Sequence, residues 1–381
     1  AENDKDERKY ANVKTKQRHA VGQICGNKLE NASKKIDADQ PLSQQQLTEL
    51  IGNLKGYTTS SCKSSYERSQ VWNLLGYLYY ALENYAQAII AYQKMLAEPE
   101  VDERQKVNTR YNIAQLYMIQ GDYAKAAKQL EHWMEEATIV SPEGKILLAE
   151  AYHQLDRTKA ALDLVDEVIQ EAHARGRLPK ERWWSLQRIL YYEKEDYRKV
   201  TAILKKLVKH YPRLSYWHQL GAMYGQMGQS LNQLIATDLI YLQKGLDKER
   251  QLLQLAYLYL GANVPYRAAK VLEEGMESGH IAETVKNLNL LGTAWQASHD
   301  MASAAPVLER AAKASDKGEI WSRLAAVYLD ADQNNKAILA ASKALDKGGL
   351  KRPALTRMTL GHALINLHCY DDAIVQFKLV Q

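Results

Sequence analysis

The chain has 381 residues, 46% of them apolar and 25% charged, with a formal net charge of +5. That is long enough for two ordinary domains, and no run of about 20 apolar residues is present to span a membrane as a helix. Twenty-four tyrosines stand against a single phenylalanine, Phe377, which points to many aromatic positions with a buried ring and a hydroxyl that reaches water or a polar partner.

Residues 1–19 are too charged and too poor in apolar side chains to form a packed element, and they read as a mobile lead-in. Residues 20–68 change pattern. Val21, Ile24, Leu29 and Ile36 precede Pro41, and Leu47, Leu50, Ile51 and Leu54 follow it, as expected of an N-terminal helical cap. Cys25 and Cys62 both lie in this cap, while Cys369 is remote. A Cys25–Cys62 disulfide is expected, and closing a loop of that length is worth roughly 4 kcal/mol on the chain-entropy account. The other reading is three reduced thiols in a cytosolic protein. A hydrophilic stretch following Ala1 fits an exported chain after signal removal.

From residue 69 onward the chain repeats. A large residue opens a segment and a small one follows three later at Tyr85/Ala88, Tyr123/Ala126, Tyr197/Val200, Met301/Ala304, Asn334/Ala337 and Tyr370/Ala373. Weaker copies are Thr158/Ala161, Ser230/Gln233 and Tyr266/Ala269. The period, roughly 31 to 39 residues, is that of two short helices and a turn. Before each opener runs a stripe such as Leu75, Gly76 and Tyr79, or Leu291, Gly292 and Trp295, whose offsets share one helical face. Glycine disfavours a helix by about 1 kcal/mol against alanine, so Gly76, Gly221, Gly292 and Gly361 imply close approach of a partner helix. Ser141-Pro142 is expected to start a helix, and Glu98-Pro99 and Tyr211-Pro212 to end helices.

Trp72, Leu75, Gly76, Tyr79, Ala88, Tyr92 and Met95 resemble the tetratricopeptide repeat. Trp217, Leu220, Gly221 and Tyr224 repeat its first half, and Trp321, Leu324, Ala325, Tyr328, Ala337 and Ala344 form another copy. Leu360, Gly361, Tyr370, Ala373 and Phe377 close the series. The resemblance covers about residues 69–381 and implies an all-α, right-handed tetratricopeptide-like superhelix of about nine hairpins. Ser230 and Gln233 depart from the pattern and put local packing there in doubt. Unrelated hairpins in a bundle, or another solenoid type, are the competing reading.

In the family resembled, the exposed face of each first helix lines a groove that binds proteins. Carried over by position, this nominates Asn73, Tyr77 and Tyr80, then Tyr111, Gln115 and Met118, then His153 and Tyr192. Amide side chains pair with an extended peptide backbone, and Tyr and Met hold its side chains. The alternative is that several of these tyrosines pack between hairpins. Residues 175–213 hold twelve Lys/Arg and four Asp/Glu. Arg198, Lys199, Lys205, Lys206 and Lys209 are candidates for an anionic protein or envelope surface, with plain solvation and nucleic acid as the other readings. Trp184 sits at a core position, whereas Trp183 either packs on the preceding loop or stays open to a partner.

There is no Gly-rich phosphate loop, no His-Glu-x-x-His and no Cys-x-x-Cys. His19, His132, His153, His210 and His368 lack metal-ligand spacing. No cofactor, metal or catalytic residue is nominated. The expectation is a noncatalytic interaction scaffold. Its general organisation is similar to periplasmic repeat proteins that accompany TonB-type iron-uptake systems, which implies inner-membrane transport components as partners. Assembly of an outer-membrane polysaccharide export machine and a cytoplasmic peptide-binding adaptor are the alternatives.

Overall fold

A computed structural model describes residues 20–37 and 42–380; the expected lead-in at 1–19 lies outside the described residues. Contacts divide the chain into two units, Ala1–Glu195 and Asp196–Gln381. Among the described residues every regular element is an α-helix.

Unit 1 contains α1 (Gln23–Ile36), α2 (Gln44–Ser60), α3 (Ser65–Ala81), α4 (Tyr85–Ala97), α5 (Glu103–Gln120), α6 (Tyr123–Glu136), α7 (Pro142–Gln154), α8 (Thr158–Ala174) and α9 (Glu181–Glu193). Helices α3/α4, α5/α6 and α7/α8 pair as hairpins, and each hairpin packs on the next. Unit 2 contains α10 (Tyr197–His210), then the hairpins α11 (Leu214–Gln226)/α12 (Ser230–Leu242), α13 (Glu249–Gly261)/α14 (Pro265–Glu277), α15 (Val285–Ala297)/α16 (Met301–Lys313), α17 (Glu319–Asp330)/α18 (Asn334–Lys347) and α19 (Pro353–Asn366)/α20 (Tyr370–Lys378). The second helices begin at the residues the repeat pattern marks, apart from α14, which starts at Pro265, one residue before the expected Tyr266. The three Pro expectations hold: Ser141 caps α7, and α4 and α10 end at Ala97 and His210.

The hairpin turns share one backbone design. A residue two before each second helix has positive φ: Glu83, Gly121 and Asp156 in unit 1, and Gly228, Asn263, His299, Asp332 and His368 in unit 2. The next amide donates to a carbonyl five residues back, as in Asn84 N to Tyr79 O at 2.9 Å and Asp300 N to Trp295 O at 3.0 Å. This satisfies a carbonyl that the first helix leaves unpaired at its end. Asn84, Asp122 and Asp300 then cap the second helix through their side chains.

Small residues make the hairpins close. A Cβ at Gly76 would stand 2.3 Å from the Tyr92 ring, one at Gly292 2.5 Å from Leu308, and one at Gly361 2.6 Å from Phe377. Gly221 differs: its nearest neighbour would be the Ala236 Cβ at 3.6 Å, an ordinary contact. In that departing hairpin the second helix buries Leu234, Ala236 and Ile240, and Gln233 lies over Gly225 instead.

Between hairpins, tyrosine hydroxyls reach polar groups on the preceding second helix. Tyr152 donates to Glu131 at 2.9 Å, Tyr191 to Asp166 at 2.9 Å, and Tyr328 to Glu309 at 3.4 Å. Tyr259 donates to Asp238, and Tyr117 accepts from Gln93 at 3.2 Å. Phenylalanine at these five junctions would leave the partner without that bond, a physical reason for tyrosine at each of them.

The N-terminal helices join the same core. Cys25 and Cys62 are bonded, with 37 residues of separation, and both are buried among Leu47, Leu50, Leu54, Leu75 and Tyr79. Beside them the buried Glu67 carboxylate accepts from Gly22 N at 2.8 Å and Ser64 N at 3.0 Å, tying the start of α1 to the start of α3.

Candidate functional site

The α3 helix buries Val71, Leu75, Leu78 and Tyr79 and therefore turns Tyr77 and Tyr80 outward, 48% and 49% exposed. Likewise α5 buries Ile113, Ala114, Leu116 and Tyr117 and presents Asn108, Tyr111, Asn112, Gln115 and Ile119. Two adjoining cavities lie on this face. The first, of about 310 Å³, is lined by Tyr77, Tyr80, Tyr92, Asn112, Gln115, Leu116 and Ile119. The second, of about 490 Å³, is walled by Asn108, Tyr111, Asn112, Trp133, Ile139 and Glu143 among others. Asn112 borders both.

Each cavity has an aromatic side chain from a second helix seated on a first-helix glycine. Tyr92 of α4 lies on Gly76, and Trp133 of α6 lies on Gly144 of α7, where a Cβ would meet the indole at 2.3 Å. Trp133 in turn packs at 5.2 Å from Tyr111, ring centre to ring centre, with 46° between the planes. Burial pushes the Tyr92 hydroxyl up to about 12, with a smaller contribution from Tyr77 and Tyr80. Burial raises Tyr111 also, followed by the Glu143 charge. Both phenols therefore stay neutral and available as hydrogen-bonding groups at neutral pH. The charged residues bordering the second cavity are Glu136, paired with Arg110 at 2.6 Å, and Glu143, paired with Lys180 at 2.5 Å. Burial works to raise the Glu143 carboxyl, but hydrogen bonds from Lys180 and its own backbone N–H, together with the Lys180 and Arg182 charges, hold it below its usual range.

Of the residues nominated from sequence, Tyr77, Tyr80 and Gln115 come together in the first cavity and Tyr111 joins the adjoining one. Asn73 is half-buried and borders neither. Met118 packs into the hydrophobic core between the first hairpins. His153 stands apart, its Nε2 at 2.7 Å from Glu193, and Tyr192 is exposed on α9. Trp183 is buried, with the Lys180 ammonium 5.6 Å from its ring centre, so it packs on the preceding loop. Sequence reasoning missed Tyr92, Asn112, Trp133 and Ile119. The signal that existed was Gly144, which stands out once a large residue is sought for every helical glycine.

In unit 2 the helix α10 buries Val200, Thr201, Ile203, Leu204 and Leu207 and exposes Arg198, Lys199, Lys205, Lys206 and Lys209 along the other side. Lys199 lies 3.9 Å from Asp196, and the Lys205 ammonium is 5.9 Å from the Tyr224 ring centre. Among the described residues no group of three or more His, Cys, Asp or Glu is placed to hold a metal ion, and no helix is long and apolar enough to cross a membrane.

The tetratricopeptide repeat family profile matches residues 69–97 and 107–135, which supply the whole lining of the first cavity and five of the eleven lining residues of the second. No curated protein matches the chain. Among solved structures, a tetratricopeptide repeat protein from Parabacteroides merdae is 17% identical over 72% of this chain and 99% of its own, with a TM-score of 0.44. Two structures of MamA are 18% and 19% identical, each over 44% of this chain and over 94% and 89% of theirs, with TM-scores of 0.36 and 0.37. Likeness at that level says nothing about partners. The profile thus marks two tetratricopeptide repeats in unit 1, and among the described residues helical hairpins continue through unit 2.

Proposed function

We propose that unit 1 holds an extended segment of a partner protein across α3 and α5, and that it does so in the bacterial periplasm in support of a TonB-type transport system. The observation that carries the binding reading is the pair of cavities sharing Asn112. Neighbouring helices pack about 8–10 Å apart, the span of about three residues of extended chain at 3.3 Å each. One side chain therefore drops between Tyr77 and Tyr80, another beside Tyr111, and the Asn112 amide pairs with the backbone between them. The compartment is supported by the buried Cys25–Cys62 bond, since such bonds persist in oxidising surroundings and are rare in the cytosol. The transport system is the proposal's most specific element and rests on general organisation.

The test is photo-crosslinking from position 80 in native cells followed by identification of the captured protein. Inner-membrane transport components are the expected catch, and their loss when Tyr77→Ala and Tyr111→Ala are added to the chain labelled at position 80 would place contact in the groove. Capture of an outer-membrane barrel or a polymer synthase would replace the transport reading with export assembly. Thiol alkylation of intact cells checks the compartment, because a reduced Cys25–Cys62 pair would remove the periplasmic reading.

A further inference from the structure

We propose that the segment held by unit 1 is basic, and that a lysine or arginine side chain enters the cavity formed by Tyr77, Tyr80 and Tyr92. This rests on the groove reading above and names the chemistry of its occupant. The chain as a whole is basic, at +5, yet among the described residues neither cavity has a lysine or arginine in its wall. The first cavity offers three phenols, the Asn112 and Gln115 amides, Leu116 and Ile119. Aromatic rings attract a cation through their quadrupole, and phenol and amide oxygens accept its hydrogen bonds. The apolar stem of the same side chain is suited to Leu116 and Ile119. A cavity of 310 Å³ has room for one long side chain.

The adjoining cavity extends the same preference. Its charged lining is Glu136 and Glu143 beside Tyr111 and Trp133. Arg110 and Lys180 each engage one of these carboxylates, but a carboxylate has about four acceptor sites, so a second donor fits. An acidic segment would instead bring carboxylates against Glu136, Glu143 and ring faces with no cation in the wall to receive them.

The experiment titrates the full chain with three dye-labelled, end-blocked decapeptides in which alanine alternates with lysine, glutamine or glutamate, followed by fluorescence anisotropy. The lysine peptide is expected to bind about tenfold more tightly than the glutamine peptide, the equivalent of one desolvated cation–ring contact, and the glutamate peptide more weakly than both. Tyr77→Leu/Tyr80→Leu should bring the lysine peptide to the level of glutamine, with helical circular dichroism unchanged. Glu143→Gln, a milder variant, should weaken only the lysine peptide. Equal or tighter binding of the glutamine or glutamate peptide overturns the proposal, as does a lysine affinity that ignores the tyrosine pair. A crosslink from position 80 to a partner segment without lysine or arginine overturns the basic preference and spares the groove. Absence of any such crosslink removes the groove itself.

Discussion

The two units use one hairpin design and present different outer faces. In unit 1 the register positions of α3 and α5 carry Tyr77, Tyr80, Tyr111 and Gln115 around two cavities. In unit 2 the positions matching Asn73 and Tyr77 on α15 are Asn289 and Thr293, and both are engaged by Arg323 of α17, at 3.1 and 2.5 Å. On α11 and α17 the positions matching Tyr77 are Ala222 and Ala326. The lesson is that the repeat constrains the seam residues, which must pack, and leaves the first-helix face open to divergence. One unit uses that face as an open aromatic surface. The other closes it on α15 by internal hydrogen bonds and keeps it aromatic on α13, where Tyr257, at the position matching Tyr77, is exposed beside a cavity.

The largest expected effect separates the units. Cys25→Ser/Cys62→Ser should cost unit 1 about 4 kcal/mol, reduced by whatever structure the unfolded chain keeps. Region-resolved hydrogen exchange should then show faster opening in residues 20–195 and unchanged protection in unit 2. Equal loss in both would mean that the two unfold as one body.

Glycine substitution sharpens the contrast at the level of single contacts. Gly144→Ala should displace the Trp133 indole and cost about 1–3 kcal/mol, with altered fluorescence from that cavity wall. Gly221→Ala in unit 2 meets only an ordinary contact at 3.6 Å and should be neutral, or stabilising by up to about 1 kcal/mol. A destabilised Gly221→Ala chain would show that the departing hairpin is packed more tightly than its geometry indicates.

Alkaline unfolding tests the tyrosine junctions. Burial, followed by Glu131, pushes the Tyr152 hydroxyl up to about 12, and Tyr259 and Tyr328 are raised by burial and then by their carboxylate partners. A folded pKa above the unfolded value of about 10 means that the stabilisation is complete below pH 10 and is lost as pH rises through 12. Thermal melts from pH 9 to 12 should fall in both units, and Tyr152→Phe should flatten the fall in unit 1 alone.

The smallest effect should be common to the two. Glu83 and His299 hold positive φ at equivalent turns, a conformation that favours glycine. Glu83→Gly and His299→Gly should each stabilise by about 1 kcal/mol or less, in unit 1 and unit 2 respectively. A gain in one and a loss in the other would break the claim that the turns are equivalent.

Much of the framework was legible because it depends on local periodicity. Tyr85, Tyr123, Met301 and Tyr370 mark helix starts, and Ala88, Ala126, Ala304 and Ala373 are buried where the pattern puts them. The placement of Tyr77 and Tyr80 on an exposed face was carried over by position from the family resembled, and the burial of Leu75 and Tyr79 agrees with it. The rest of the site was not legible. Tyr92 and Trp133 come from second helices and enter the cavities because Gly76 and Gly144 let them lie across first helices, one in the same hairpin and one in the next. Met118 carries the same positional argument as Tyr80, yet it packs inward between hairpins.

By itself, the order of large and small residues determined the helices, their turns and which side of each is apolar, since those depend on neighbours within one or two helical turns. Only the tertiary structure decided which exposed side chains share a cavity, that Trp183 is enclosed, and that Arg323 occupies the face Tyr77 leaves open. Those outcomes turn on ångström-scale distances between helices, set jointly by residues from 11 to 30 positions apart.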